Sequence, residues 1–297
     1  MKIKTKAHFG LLATNLFFAI NLSAVKYLTG NQYMQPFGMN VIRVGVSVLL
    51  FWLLFLFNPF QKSISKEDIP RFAFCALTGI AINQMLFLKG LSLTFSIHAV
   101  LLMLTTPILI TIIAAWLLKE RINSFKVVGL GFGVSGAVLL ISSGKNSGNG
   151  NNILLGDLYI LINALSYTFY FILVKPLMLK YKPIEVIRWV FTMGFFMVLP
   201  FGWHEFISIE WAHFNTTAYI CIFLIVFAGT FLAYLFNVYG IQILGASVAG
   251  SYIYSQPIFA AVIAMLFLDE PLEIYKVFSA ALIFVGVYLC NKKITND

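Results

Sequence analysis

Few side chains in this sequence can do chemistry, and those few lie inside long apolar runs. In a helical run starting near Pro36, Arg43 lies about 10 Å deep at about 1.5 Å per residue. A cation at that depth in a membrane must pair, snorkel or face water. Two polar clusters precede prolines: Thr105 and Thr106 before Pro107, and Ser255 and Gln256 before Pro257. Proline lacks an N–H and disrupts the bond to the carbonyl four residues earlier, here Met103 and Ile253. In lipid a freed carbonyl needs a protein or water partner, so such breaks belong beside a wet interior. Tyr167 and Tyr170 share a helix face by their spacing, as do Tyr252 and Gln256. With Asn83 and Tyr234, these residues make a set of amides, hydroxyls and phenols around one guanidinium. Such a set suits an amphipathic organic molecule better than a bare ion. The expected substrate-binding residues are Arg43, Asn83, Thr105, Thr106, Tyr167, Tyr170, Tyr234, Tyr252 and Gln256, with Pro107 and Pro257 as helix breaks. The runs also hold Asn15, Asn21, Gln84, Asn163, Asn237 and Tyr254; some of these polar groups are expected to act as glue between helices and about half to reach a cavity.

The remaining polar groups constrain mechanism. No carboxylate falls near the centre of an apolar run; Asp157 and Glu185 begin helices. His98 lies near one end of its run and reads as a hydrogen-bonded structural histidine. Glu120 and Glu270 stand at the ends of the proline-bearing runs, as gate or structural charges. Lys26, Lys89, Lys175 and Arg188, close to run ends, are expected to snorkel. Cys75, Cys221 and Cys290 have neither metal-ligand nor disulfide spacing and read as buried thiols. No H-E-x-x-H or G-x-S-x-G motif occurs, and no paired acids lie within a run. The expectation is neither an enzyme nor a cofactor or metal protein.

The elements that must position these groups are membrane helices. Of 297 residues, 60% are hydrophobic and 10% charged, against about 45–50% and about 25% in ordinary soluble domains. A span needs about 20 apolar residues. Candidate spans are 9–28, 36–57, 70–90, 95–118 and 124–142, then 156–174, 184–203, 218–238, 246–268 and 275–291. The N-terminal run, with no clean cleavage site, reads as an uncleaved first helix. The net charge of +9 forms no basic stripe, which argues against nucleic acid as a partner. With the N-terminus inside, Lys2, Lys4, Lys6, Lys62, Lys66, Arg71, Lys119, Arg121, Lys126, Lys180, Lys182, Lys292 and Lys293 fall inside. Only Lys145 and Lys276 fall outside. That asymmetry follows the positive-inside rule and puts both termini in the cytoplasm.

The Gly/Asn/Ser-rich stretch from Ser142 to Asn152 reads as a linker dividing 1–145 from 146–297. Across it, Gly79, Gly90, Pro107, Glu120, Lys126 and Gly136 recur 150 residues later as Gly229, Gly240, Pro257, Glu270, Lys276 and Gly286. Arg43 and Arg188 correspond at a shifted offset of 145. Five spans per half is odd, so the halves must be inverted, an arrangement common in secondary transporters. Gly129, Gly131, Gly133 and Gly136 permit close helix approach, by default within the chain rather than in a dimer.

On these residues the sequence resembles the EamA-type members of the drug/metabolite transporter superfamily. The resemblance is carried by Arg43 and Arg188 in second helices and by Pro107 and Pro257 in fourth helices. It extends to Leu117-Leu118-Lys119-Glu120-Arg121 and Phe267-Leu268-Asp269-Glu270-Pro271, each followed by a glycine-bearing fifth helix. It implies an all-α integral membrane fold of ten helices, two inverted five-helix repeats around a central cavity, in a bacterial inner membrane. The expected function is alternating-access transport, as an exporter, of a small, carboxylate-bearing metabolite such as an amino acid. A facilitative channel or uniporter for a neutral metabolite is the alternative, with an intramembrane enzyme far behind. Oligomeric state is left open.

Overall fold

The computed structural model describes residues 2–56, 64–117, 124–144, 152–244, 252–269 and 272–291. All regular structure there is helical. In chain order the α-helices are α1 (Lys2–Gly30), α2 (Pro36–Leu53), α3 (Ile69–Ala76), α4 (Ile82–Leu93), α5 (Ser96–Met103), α6 (Thr106–Leu117) and α7 (Ser124–Gly144). They continue as α8 (Ile153–Lys180), α9 (Pro183–Ile207), α10 (Thr216–Phe223), α11 (Ala233–Leu244), α12 (Gln256–Phe267) and α13 (Ile274–Asn291). Two π-helical segments, Leu77–Ala81 and Leu224–Leu232, join α3 to α4 and α10 to α11.

Among the described residues, six helical runs are long and apolar enough to cross a membrane. They are Ile3–Gly30, Pro36–Leu56, Lys66–Leu93, Ile153–Lys180, Pro183–Ile207 and Thr216–Gly240. Shorter apolar helices occur at Ser96–Ile110, Val127–Ser143, Gln256–Phe267 and Ile274–Leu289. Each overlaps one expected span. Their outward faces carry Leu49, Phe74, Phe196, Phe201, Phe267 and Tyr288, all exposed. So much exposed large apolar surface suits lipid rather than water.

Helix starts follow local chemistry. Pro36 and Pro183 open α2 and α9, where a missing N–H costs nothing. The first free N–H groups of α2 are met from α9: Phe37 N and Gly38 N donate to Glu205 Oε2 at 2.7 and 2.9 Å. A Cβ on Gly38 would sit 2.8 Å from the Glu205 carbonyl carbon, so glycine lets the two helices come that close. At the other end of α12, Asp269 takes φ 51°, a left-handed conformation that stops a helix.

The packing is reciprocal between the halves. Helix α4 packs on α8, and α11 packs on α1; α5 and α6 pack on α8, and α12 packs on α1; the first π-segment packs on α9, and the second on α2. Two pairs join a helix to its own counterpart, α2 with α9 and α7 with α13. At α7–α13 the paired glycines make the interface. A Cβ on Gly136 would meet Ser279 O at 2.9 Å, and one on Gly286 would meet Gly129 O at 2.6 Å. Gly136 and Gly286 therefore serve packing within the chain, as Gly133 does against Ile108, whereas Gly131, expected to join them, has no neighbouring atom within 4 Å of a Cβ position.

Candidate functional site

Each of the two π-segments interrupts a long apolar run. Each extra-wide turn holds one glycine of the repeat, Gly79 or Gly229. A side chain at Gly79 would overlap the Tyr170 ring, and a Cβ at Gly229 would lie 2.6 Å from Asn21 Cβ. The glycines thus let the first helix of the opposite half lie flat on each wide turn. π-Turns leave backbone groups poorly paired and recur at functional sites. Here Thr230 fills the gap on one side, its hydroxyl donating to Ile225 O at 2.8 Å.

The same Thr230 hydroxyl accepts from Arg43 Nε at 2.8 Å. Arg43 is 5% exposed, and its Nη1 has no hydrogen-bond partner. Among the described residues it forms no ion pair. Tyr234 lies within electrostatic reach of it, and Tyr167 and Tyr170 within reach of Tyr234. The rings of Tyr167 and Tyr170 are 5.6 Å apart, as their spacing predicted. Tyr234 stands edge-on to Phe191 at 5.0 Å and to Phe18 at 6.2 Å. All three tyrosines are half-buried. Gln84, buried nearby in α4, lies within hydrogen-bond reach of the Tyr234 hydroxyl.

The other expected residues go elsewhere. Asn83 and Asn163 bond reciprocally, each amide donating to the other's backbone carbonyl, at 3.3 and 2.6 Å; they tie α4 to α8. Both proline helices are interrupted ahead of the proline, and the proline becomes the second residue of a fresh helix. Hydroxyls beside the prolines bond carbonyls three residues earlier, and of the two carbonyls freed by proline Met103 O is met by Thr106 Oγ1. Thr105 Oγ1 donates to Leu102 O at 2.6 Å and Thr106 Oγ1 to Met103 O at 2.7 Å. In the second half, Ser255 Oγ donates to Tyr252 O at 2.7 Å. Thr105 and Ser255 are counterparts at the offset of 150, and so are Leu102 and Tyr252. Tyr252 turns its own hydroxyl to His8 Nδ1, 2.7 Å away on α1. Gln256 is buried at the start of α12. Glu120 and Glu270 lie outside the described residues.

Arg188 corrects an expectation. It does not snorkel: it is fully buried, with Nε donating to Phe51 O at 3.1 Å and the guanidinium over the rings of Trp52 and Phe55. The aromatic cluster after Phe51 covers it, which run-end position could not reveal. Thr230, Gln84 and Asn163 were not singled out for the site. For Thr230 the available signal was its place beside Gly229, inside the repeat.

An all-helical fold with apolar spans, apolar outer faces and a polar interior defines an integral, multi-pass membrane protein. The EamA-like transporter family model matches residues 5–142 and again 154–292, and the chain belongs to that family. It is 24% identical to the uncharacterized transporter YetK of Bacillus subtilis (strain 168), over 82% of this chain and 74% of that protein. It is 24% identical to an uncharacterized transporter of Archaeoglobus fulgidus, over 95% of this chain and 98% of the other. A probable terminal-alkyne amino-acid exporter of Streptantibioticus cattleyicolor is 25% identical over 76% of this chain and 74% of its own. A solved crystal structure superposes with TM-score 0.60 at 16% identity, covering 94% of this chain and 96% of that one. Family membership makes the chain a membrane transporter of small molecules.

Proposed function

We propose that the chain is a ten-helix secondary transporter of two inverted repeats, 1–145 and 146–297. It exports carboxylate-bearing metabolites, amino acids among them, by alternating access at a site on Arg43. The observation that carries the reading is a buried cation with no carboxylate partner among the described residues, its Nη1 without a hydrogen-bond partner and Tyr234 within electrostatic reach. A guanidinium binds a carboxylate through paired N–H donors, and a substrate anion would supply the missing countercharge. The two-fold family match and the reciprocal packing support the repeats. The distribution of Lys and Arg supports cytoplasmic termini in a bacterial inner membrane. The relative named as an amino-acid exporter supports the substrate class and the direction.

A thermal-shift screen on the detergent-solubilised chain tests the substrate class, because ligands of the folded state raise apparent stability. Amino and other organic acids should raise the melting temperature, and their amides and methyl esters should not. A screen in which only neutral or cationic compounds stabilise would overturn the reading.

A further inference from the structure

One buried network has no part in that site. At the junction of α4 and α5, the Thr94 hydroxyl donates to Asp157 Oδ1, and His98 Nδ1 lies 3.1 Å from Asp157 Oδ2. His98 Nε2 lies 3.0 Å from the Tyr275 hydroxyl on α13. His98 and Asp157 are both 0% exposed. Glycines allow the approach: a Cβ on Gly156 would meet Thr94 N at 2.8 Å and Gly90 O at 2.9 Å. The groups facing His98 are Asp157 from α8 and Tyr275 from α13, with Phe95 packed edge-on beside it. Lys276, 1% exposed, adds a cation behind Phe95, its Nζ 4.8 Å from the ring centre.

The same helix pair shows what a merely structural tie looks like. Asn83 and Asn163 join α4 to α8 with neutral amides. Where α5 takes over from α4, the contact with α8 instead uses a carboxylate and an imidazole shut from water, a costly choice in a membrane. This network also bridges the halves, with Thr94 and His98 from the first and Asp157 and Tyr275 from the second.

We propose that His98 and Asp157 bind the proton that drives transport, and that protonation holds this end of the bundle closed. The inference rests on the transporter reading above. With Asp157 accepting, neutral His98 donates from Nδ1 and accepts the Tyr275 proton at Nε2. A proton taken up on Nε2 turns the hydrogen bond to Asp157 into an ion pair and makes Nε2 a donor to Tyr275. That ion pair exists only while α5 and α8 are together. The closed end therefore binds the proton more tightly than the open end. By linkage, acid favours closure and alkali favours opening.

Two measurements test this on the full chain. Amide hydrogen exchange of residues 94–101 and 153–160 is compared at about pH 5.5 and about pH 7.5, bracketing the ordinary histidine range. Rates are corrected for intrinsic chemistry. Protection should be about tenfold greater at the acid pH in the unaltered chain, and the difference should vanish in His98→Gln. Equal corrected protection in the unaltered chain overturns the proposal without relying on any variant. The second measurement uses proteoliposomes and a mixture of radiolabelled amino acids, with and without a pH gradient. The gradient should speed net movement about tenfold. His98→Gln and Asp157→Asn should keep equilibrium exchange and lose the acceleration. Exchange with no gradient effect would overturn the coupling and leave the transporter reading standing. If no amino acid moves in any arm, the substrate reading fails, and hydrogen exchange alone decides the proton site.

Discussion

Arg43 and Arg188 occupy matching places in the two halves, yet their surroundings have diverged. Arg188 lies nearer the rim, under Trp52 and Phe55, with Glu185 one turn away as countercharge. Arg43 lies in the interior, with a threonine hydroxyl and tyrosines but no carboxylate. One cation has a carboxylate beside it and the other has none among the described residues. On the proposed function, the repeat keeps its packing while one copy of the residue serves binding and the other braces the scaffold.

Replacing both arginines is the sharpest way to break that comparison. Arg43→Gln should lower transport at low substrate by about 10–100-fold, the worth of a charge-assisted hydrogen bond of about 1.5–3 kcal/mol. Its thermal stability should hold or rise, because a buried cation without a countercharge is removed. Arg188→Gln should do the reverse: it leaves Glu185 buried without the adjacent cation, at about 3–5 kcal/mol. What folds should still transport within a few-fold of the parent. Flux in proteoliposomes and melting curves on the same preparations read both effects. A matched loss of flux in the two variants would show that the halves share the binding role.

The paired glycines give a smaller contrast. Gly79→Ala presses on the ring of Tyr170, a proposed substrate contact, and Gly229→Ala presses on Asn21. Both should cost about 1–3 kcal/mol by overpacking. Only Gly79→Ala should also weaken apparent substrate affinity, by roughly tenfold if about 1.4 kcal/mol of binding is lost. An affinity loss of the same size in Gly229→Ala would move the binding gap toward α1.

The spans were legible because hydropathy reports the solvent around a helix. The repeat was legible because its glycines and prolines fix backbone geometry at one offset. The π-segments were not, since a wide turn follows from packing against the opposite half. Of the candidate site, the sequence shows that Tyr167 and Tyr170 share a face and that Arg43 is deep; that Tyr234 lies near Arg43 and Tyr167 is tertiary packing, and their part in binding is the proposal above. Thr105 and Thr106 read as ligand groups because they stand beside proline, but a broken helix presents carbonyls to its own hydroxyls first. Asp157 was seen to begin a helix, and its burial against His98 depends on tertiary packing that spacing does not encode.

The smallest effect tests whether the helix breaks are scaffold. Thr105 and Ser255 make the same bond, to the carbonyl three residues earlier, ahead of the two prolines. Neither Thr105→Ala nor Ser255→Ala removes a countercharge or a ring; each removes one hydroxyl-to-carbonyl bond at the helix break. If α5–α6 and α12 are braces, both variants should lose about 1 kcal/mol of stability, by similar amounts, with affinity unchanged within about twofold. Melting curves and flux again supply the readings. An affinity loss confined to Thr105→Ala would return that hydroxyl to the substrate and extend the site from Arg43 to the first proline break. Equal stability losses without any change in flux would instead make the breaks the symmetric part of the molecule and the arginines the asymmetric part.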